Sequence, residues 1–254
     1  MKKRLDQLVF AQGLVISRSQ AESWIRLGKV TVDGRIVTKP GTAVDESADI
    51  KLLVEEQYVS RAGLKLESVA QSLHLNFKDV IMLDVGSSTG GFTDFALRQG
   101  ARKVIAVDVG TDQLHPSLRG NNKIELHEQT DIRRLVRVES KNKPTDAVPI
   151  TDDIDIVVID VSFISLREIL PHIATLCSPQ TIVAAMVKPQ FEARESNLKH
   201  KGVIKNDRIR REILKDFEAW VSRSFVVLDK ADSDVAGSKG NLERFYKLKK
   251  SVKI

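Results

Sequence analysis

From Ser60 onward, short apolar runs of strand length alternate with segments whose apolar residues recur at helical spacing. The runs lie at 80–85, 103–108, 156–160, 181–188 and 225–228, and the first helical segment places Leu66, Val69, Ala70 and Leu73 on one face. Parallel strands need a crossover, usually a helix, so the alternation predicts an α/β fold with a mostly parallel sheet covered by helices. The chain has 254 residues, 42% of them hydrophobic and 29% charged. That is globular composition, with length for a small module beside a catalytic-sized domain.

The first forty residues read differently. They hold eight Lys and Arg against three Asp and Glu, so most of the chain's net +6 is concentrated there. Residues 41–59 reverse the balance, with five acids facing Lys51. The shift predicts a boundary near Tyr58, with one domain at 1–59 and another at 60–254. Leu5, Leu8 and Val9 form a short helical stripe stopped by Gly13. A second stripe of Ala21, Trp24 and Ile25 is opened by a Ser17–Gln20 capping pattern and closed by Gly28. Residues 29–32 and 35–37 flank Asp33-Gly34, a hairpin signal. Arg18, Glu22 and Arg26 recur at i, i+4, which on spacing alone reads as a solvated, salt-bridged face.

One cysteine and five histidines offer neither a disulfide nor zinc-ligand spacing. Asp6, Gln7 and Gln12 interrupt the basic start, so no signal peptide is expected. The apolar runs at 154–160 and 181–187 fall far short of the roughly 18 residues of a membrane span. A reducing, cytoplasmic setting is expected. The stretches 141–153 and 193–206 read as polar loops.

The most informative run is LDVGSSTGGFTDFAL at 83–97. A strand ends at Asp84-Val85, small residues occupy Gly86, Ser87, Ser88, Thr89, Gly90 and Gly91, and a helix opens with Phe92. A glycine-rich turn there lets a ligand approach the backbone beside helix N–H groups. The order is not GxGxxG and the P-loop lysine is missing, which removes dinucleotide and kinase-type readings. Asp108 ends the next strand, where a carboxylate can accept two ribose hydroxyls. Asp131 is placed to meet an adenine edge. Singly, each acid also reads as a strand-end carboxylate or a helix cap; together they suit S-adenosylmethionine.

Four further charged residues stand out: Lys65 beside the first helical stripe, Asp160 at the end of IDIVVID, Lys188 at the end of TIVAAMV, and Glu243 in GNLERFY. Charges at the carboxyl ends of central strands point into the ligand crevice of such sheets, where a lysine can serve as a base. Two ordinary salt bridges are the alternative reading.

At SRAGLKL, IDVSF, VKPQFE and GNLE the set resembles the lysine-aspartate-lysine-glutamate tetrad of FtsJ-like ribose 2′-O-methyltransferases. Residues 4–41 resemble the RNA-binding module named after the fourth protein of the small ribosomal subunit. Together the resemblance covers nearly the whole chain and points to the TlyA family, often labelled hemolysins. It implies a Rossmann-like methyltransferase fold behind a small α+β RNA-binding domain, S-adenosylmethionine as cofactor, no metal, and ribosomal RNA within ribosomal subunits as partner. It assigns Lys188 as base on the ribose 2′-OH, Lys65 as the group that depresses its pKa and steers the ribose, and Asp160 and Glu243 as their orienting carboxylates. It nominates Asp84, Gly86, Ser88, Thr89, Gly90, Gly91, Phe92, Asp108, Asp131 and Asp160 for the cofactor, and Arg4, Arg18, Arg26, Lys29 and Arg35 for RNA. Two departures stand out: Arg194 and Lys199 replace glycines usual after KPQFEA, and Thr130-Asp131 replaces the common TN. A membrane-active hemolysin, or a ribosome-binding assembly protein without catalysis, are the competing expectations.

Overall fold

The computed structural model describes residues 2–15, 18–26, 28–53, 58–139, 145–193, 202–204, 206–237 and 240–251. The N-terminal module comprises β1 (Lys2–Arg4), α1 (Leu5–Ala11), α2 (Arg18–Arg26), β2 (Val30–Val32), β3 (Arg35–Ile36), β4 (Ala43–Asp45) and β5 (Ile50–Leu52). Leu5, Leu8, Val9, Ala21, Trp24 and Ile25 are all buried, as the two stripes require. The β2–β3 hairpin turns on Asp33 (φ 50°) and Gly34 (φ 77°), the left-handed pair that matches strand twist. Ser17, the expected cap of α2, lies outside the described residues. Strands β1, β4 and β5 are too short and too charged to stand out in sequence. β1 pairs with β4, and β5 with the free side of β2.

The second part runs through α3 (Arg61–Ala70), β6 (Ile81–Val85), α4 (Gly91–Arg98), β7 (Lys103–Val107), β8 (Ile124–His127), β9 (Leu135–Arg137), β10 (Val148–Ile150), β11 (Ile156–Ile159), α5 (Leu170–Leu176), β12 (Ile182–Val187), α6 (Pro189–Glu192), α7 (Asp207–Val221), β13 (Phe225–Asp232) and β14 (Arg244–Lys250). Seven strands form one sheet in the order β13-β14-β12-β11-β6-β7-β8. Its five central and right-hand strands are parallel, and β14 and β13 close the other edge antiparallel. The chain builds outward from β6 to β8 and then restarts on the other side at β11. The order therefore reverses between β6 and β11, the place where such sheets open a crevice.

Every residue of β6 and β11 is buried, because helices cover both faces. Met82, Val104, Val158 and Met186 face α3 and α4, while Leu83, Ile105, Val157 and Val183 face α5 and α7. The apolar cluster on the α3 side continues into α1 and α2, so the N-terminal module and the sheet domain share packing. Gln20 Nε2 donates to the Tyr58 carbonyl at 2.9 Å across this junction.

One loop expectation needs correction. Within 141–153, Val148–Ile150 forms β10, paired in parallel with β9, because Val148 and Ile150 alternate about Pro149 and Ile150 is buried. Of the second expected loop, 194–201 and 205 lie outside the described residues, Arg194 and Lys199 among them. No helix among the described residues is long and apolar enough to cross a membrane.

Candidate active site

The site sits where β6 and β11 part. Gly86 follows β6 with φ +80°, and a Cβ on it would meet the Asp160 carbonyl oxygen at 2.8 Å. The turn thus draws the end of β6 against the end of β11, which only glycine permits. Gly90 caps α4 in the left-handed region, and a Cβ on Gly91 would fall 2.3 Å from Ser60 Oγ. These two glycines therefore shape the turn and seat α4 against the start of α3; they do not line the cleft.

Asp108, at the end of β7, accepts from Ser88 N at 2.8 Å and from Gly110 N at 2.7 Å, stitching the glycine turn to the β7 exit. Ser88 Oγ donates to Gln113 Oε1 at 3.0 Å. The cleft holds about 360 Å³ and is walled by Gly86, Ser88, Asp108, Asp131, Asp160 and Phe163, among others. A further space of about 180 Å³ adjoins it, walled by Asp84, Thr89, Phe92 and Lys188. Gly86, Ser88, Asp160 and Ser162 border both spaces.

Asp84 occupies a strand position that elsewhere on that face is apolar, and it is fully buried. Burial pushes its carboxyl up to about 7, with the Asp160 charge adding, against the pull of the Thr93 hydroxyl. Thr93 Oγ1 donates to Oδ2 at 2.7 Å, Oδ1 has no hydrogen-bond partner among the described residues, and Asp84 is one of the walls of the smaller space. A buried carboxylate oxygen without a donor is costly unless a ligand answers it. Asp131 is on the wall, yet its carboxylate is gripped by the Arg133 guanidinium at 2.6 and 2.9 Å, which holds it below the usual range.

The four tetrad candidates form two ion pairs. Lys188 Nζ lies 2.6 Å from Asp160 Oδ1, and Lys65 Nζ lies 2.6 Å from Glu243 Oε2. Both lysines are at least nine-tenths buried. Lys188 and Asp160 line the cleft; Lys65 and Glu243 stand behind it. The β12–β14 register pairs Val187 with Arg244, so Lys188 and Glu243 are the next positions along neighbouring strand ends. Sequence reasoning missed Ser162, whose Oγ accepts from Lys188 Nζ at 2.7 Å. A serine two residues past a strand-end aspartate carries no signal of its own.

In the N-terminal module, Asp6 is buried and holds both Arg4 Nε at 2.9 Å and Arg18 Nη2 at 2.8 Å. Burial pushes this carboxyl up, and the two guanidiniums more than offset it, leaving it below its ordinary value. Arg18 thus pairs with Asp6 of α1 rather than along its own helix. Arg4 and Arg18 remain half exposed, and Arg26, Lys29 and Arg35 are exposed with no ion pair among the described residues.

Residues 58–250 match the FtsJ-like methyltransferase family and residues 3–50 match the S4 domain. The chain is 32% identical over 251 residues to the 16S/23S rRNA (cytidine-2′-O)-methyltransferase TlyA of Mycobacterium tuberculosis, covering 98% of this chain and 90% of that one. It is 35% identical over 241 residues to hemolysin A of Brachyspira hyodysenteriae, covering 94% and 97%. A solved structure provisionally named as a hemolysin from Streptococcus thermophilus superposes with a TM-score of 0.69 at 38% identity, over 99% of this chain and 89% of that one.

Proposed function

Because the chain belongs to the FtsJ-like methyltransferases, in the TlyA family that sets an S4 domain ahead of the catalytic one, we propose that it methylates the ribose 2′-OH of ribosomal RNA using S-adenosylmethionine. The observation that carries this reading is the buried Lys188–Asp160 pair, set on the wall of a cleft that begins at the glycine turn.

The cleft suits that cofactor. It gathers Asp84, Asp108 and Asp160, and residues 83–97 carry no Lys or Arg, which favours a cationic ligand with a ribose diol over a polyphosphate. The unpartnered Asp84 Oδ1 and the glycine at 86 leave room and charge for it. Asp108 would hold the ribose end, with Ser88, Thr89 and Phe92 along the turn. Asp131 would meet the base through whatever lone pairs Arg133 leaves it. S-adenosylmethionine, when bound, supplies a methyl carbon activated by its sulfonium.

The residues of the chain supply the proton chemistry and the positioning. Lys188, as the free amine, takes the proton of the 2′-hydroxyl at Nζ and leaves the oxygen nucleophilic. Asp160 balances the charge that Lys188 then carries. Lys65 and Glu243 close the ladder behind it and keep a second cation near the ribose. Holding oxygen and methyl donor at reacting distance in one cleft is the larger part of the rate. Arg26, Lys29 and Arg35, with the outward nitrogens of Arg4 and Arg18, would meet phosphates of folded RNA, giving affinity and shape recognition.

The test uses ribosomal subunits from a strain lacking this protein and methyl-labelled cofactor. Wild-type protein transfers label, and Lys188→Ala loses about a hundredfold or more while cofactor affinity by calorimetry changes by less than about threefold. Full transfer by Lys188→Ala would refute the assignment.

A further inference from the structure

We propose that Ser162 is a positioning residue for Lys188, fixing the direction in which its amine presents a lone pair to the ribose hydroxyl; this rests on the base assignment made above. A lysine used as a base must satisfy two demands. Its charge must be balanced after it takes a proton, and its nitrogen must face the hydroxyl before it does. Asp160 answers the first, with Oδ1 2.6 Å from Nζ. Ser162 Oγ, at 2.7 Å, gives Nζ an aligned hydrogen bond. With one N–H held on Ser162, the remaining tetrahedral directions of the nitrogen are fixed around the Cε–Nζ bond.

The surrounding structure holds this serine in place. Ser162 borders both spaces of the cleft. The next residue, Phe163, takes φ +70°, a left-handed conformation that a bulky side chain adopts only when its surroundings impose it. Two ties join this turn to α6, the helix that starts directly after Lys188. The Phe163 ring lies 5.5 Å from that of Phe191, and Glu192 accepts from Ser165 Oγ at 2.7 Å and from Leu166 N at 2.8 Å. The Ser162 turn is thus tied to the helix that follows the Lys188 strand end.

The experiment compares wild type, Ser162→Ala, Ser162→Cys and Ser162→Thr with labelled S-adenosylmethionine and subunits from a strain lacking this protein. Ser162→Ala and Ser162→Cys, the second keeping volume but accepting weakly, lower kcat by about tenfold or more, with both KM values and the calorimetric cofactor Kd changed by less than about threefold. Ser162→Thr, which keeps the hydroxyl, restores most of kcat. Wild-type kcat in Ser162→Cys, or a loss that falls on cofactor Kd instead, overturns the inference while leaving Lys188 in place. Failure of the wild type itself to transfer label would strike the underlying reading.

Discussion

At the scale of single residues, the site is a set of buried charges whose neighbours decide what each can do. Asp84 is the clearest case. An unfolded aspartate loses its proton near pH 4, whereas the buried one holds it to about 7. Between those values the folded state carries more protons, so its stability falls as pH rises through that window. The midpoint of thermal unfolding without cofactor should therefore drop more between pH 5 and pH 7.5 than in Asp84→Asn, where this contribution is gone. A cationic ligand favours the ionised form, so calorimetry should find cofactor affinity weaker at pH 6 than at pH 8, and the difference should shrink in Asp84→Asn. An affinity that strengthens toward pH 6 would contradict this account. Asp84, Asp108, Asp160 and Lys188 are legible in the sequence because charges break apolar runs at strand ends. Ser162 and the Thr93 bond are not, since hydroxyls are equally at home in turns and helices.

At the scale of elements, the glycine turn matters for what it brings together. Replacing Gly86 with alanine puts a Cβ 2.8 Å from the Asp160 carbonyl in a left-handed turn. That should cost about 1–3 kcal/mol of stability and weaken cofactor binding, both readable from melting with and without S-adenosylmethionine. Unchanged melting and binding would count against the close approach. In the first module, Asp6 of α1 holds Arg4 at the end of β1 and Arg18 at the start of α2. Asp6→Ala leaves both guanidiniums unpaired and should destabilise the protein by roughly 1–3 kcal/mol, seen in chemical unfolding. Four of the five parallel strands of the main sheet, β6, β7, β11 and β12, were readable from apolar runs, and the hairpin from Asp33-Gly34. β14 was not, because Lys247, Lys249 and Lys250 alternate with Phe245, Tyr246 and Leu248 and mask its buried face. β8 was hidden likewise by Glu125 and His127, whose side chains meet each other at the sheet edge.

At the scale of the whole molecule, the basic module and the sheet domain that carries the cleft share one apolar cluster. The uneven charge along the sequence marks where the basic module lies, but carries no sign that Arg18 pairs with Asp6. Lys29 and Arg26 are the cleaner probes, being exposed without an ion pair among the described residues. Lys29→Glu should weaken binding to ribosomal RNA and reduce the slope of log K against log salt by about one; an unchanged slope would remove Lys29 from the interface. The central claim, however, is about where the methyl goes. A methyl on the 2′-oxygen blocks alkaline cleavage at that ribose. After reaction with labelled cofactor and complete alkaline hydrolysis of the RNA, the account predicts label in alkali-resistant dinucleotides with wild-type protein, appearing more slowly by about a hundredfold or more with Lys188→Ala. Label recovered in mononucleotides, which marks a methylated base, would contradict it.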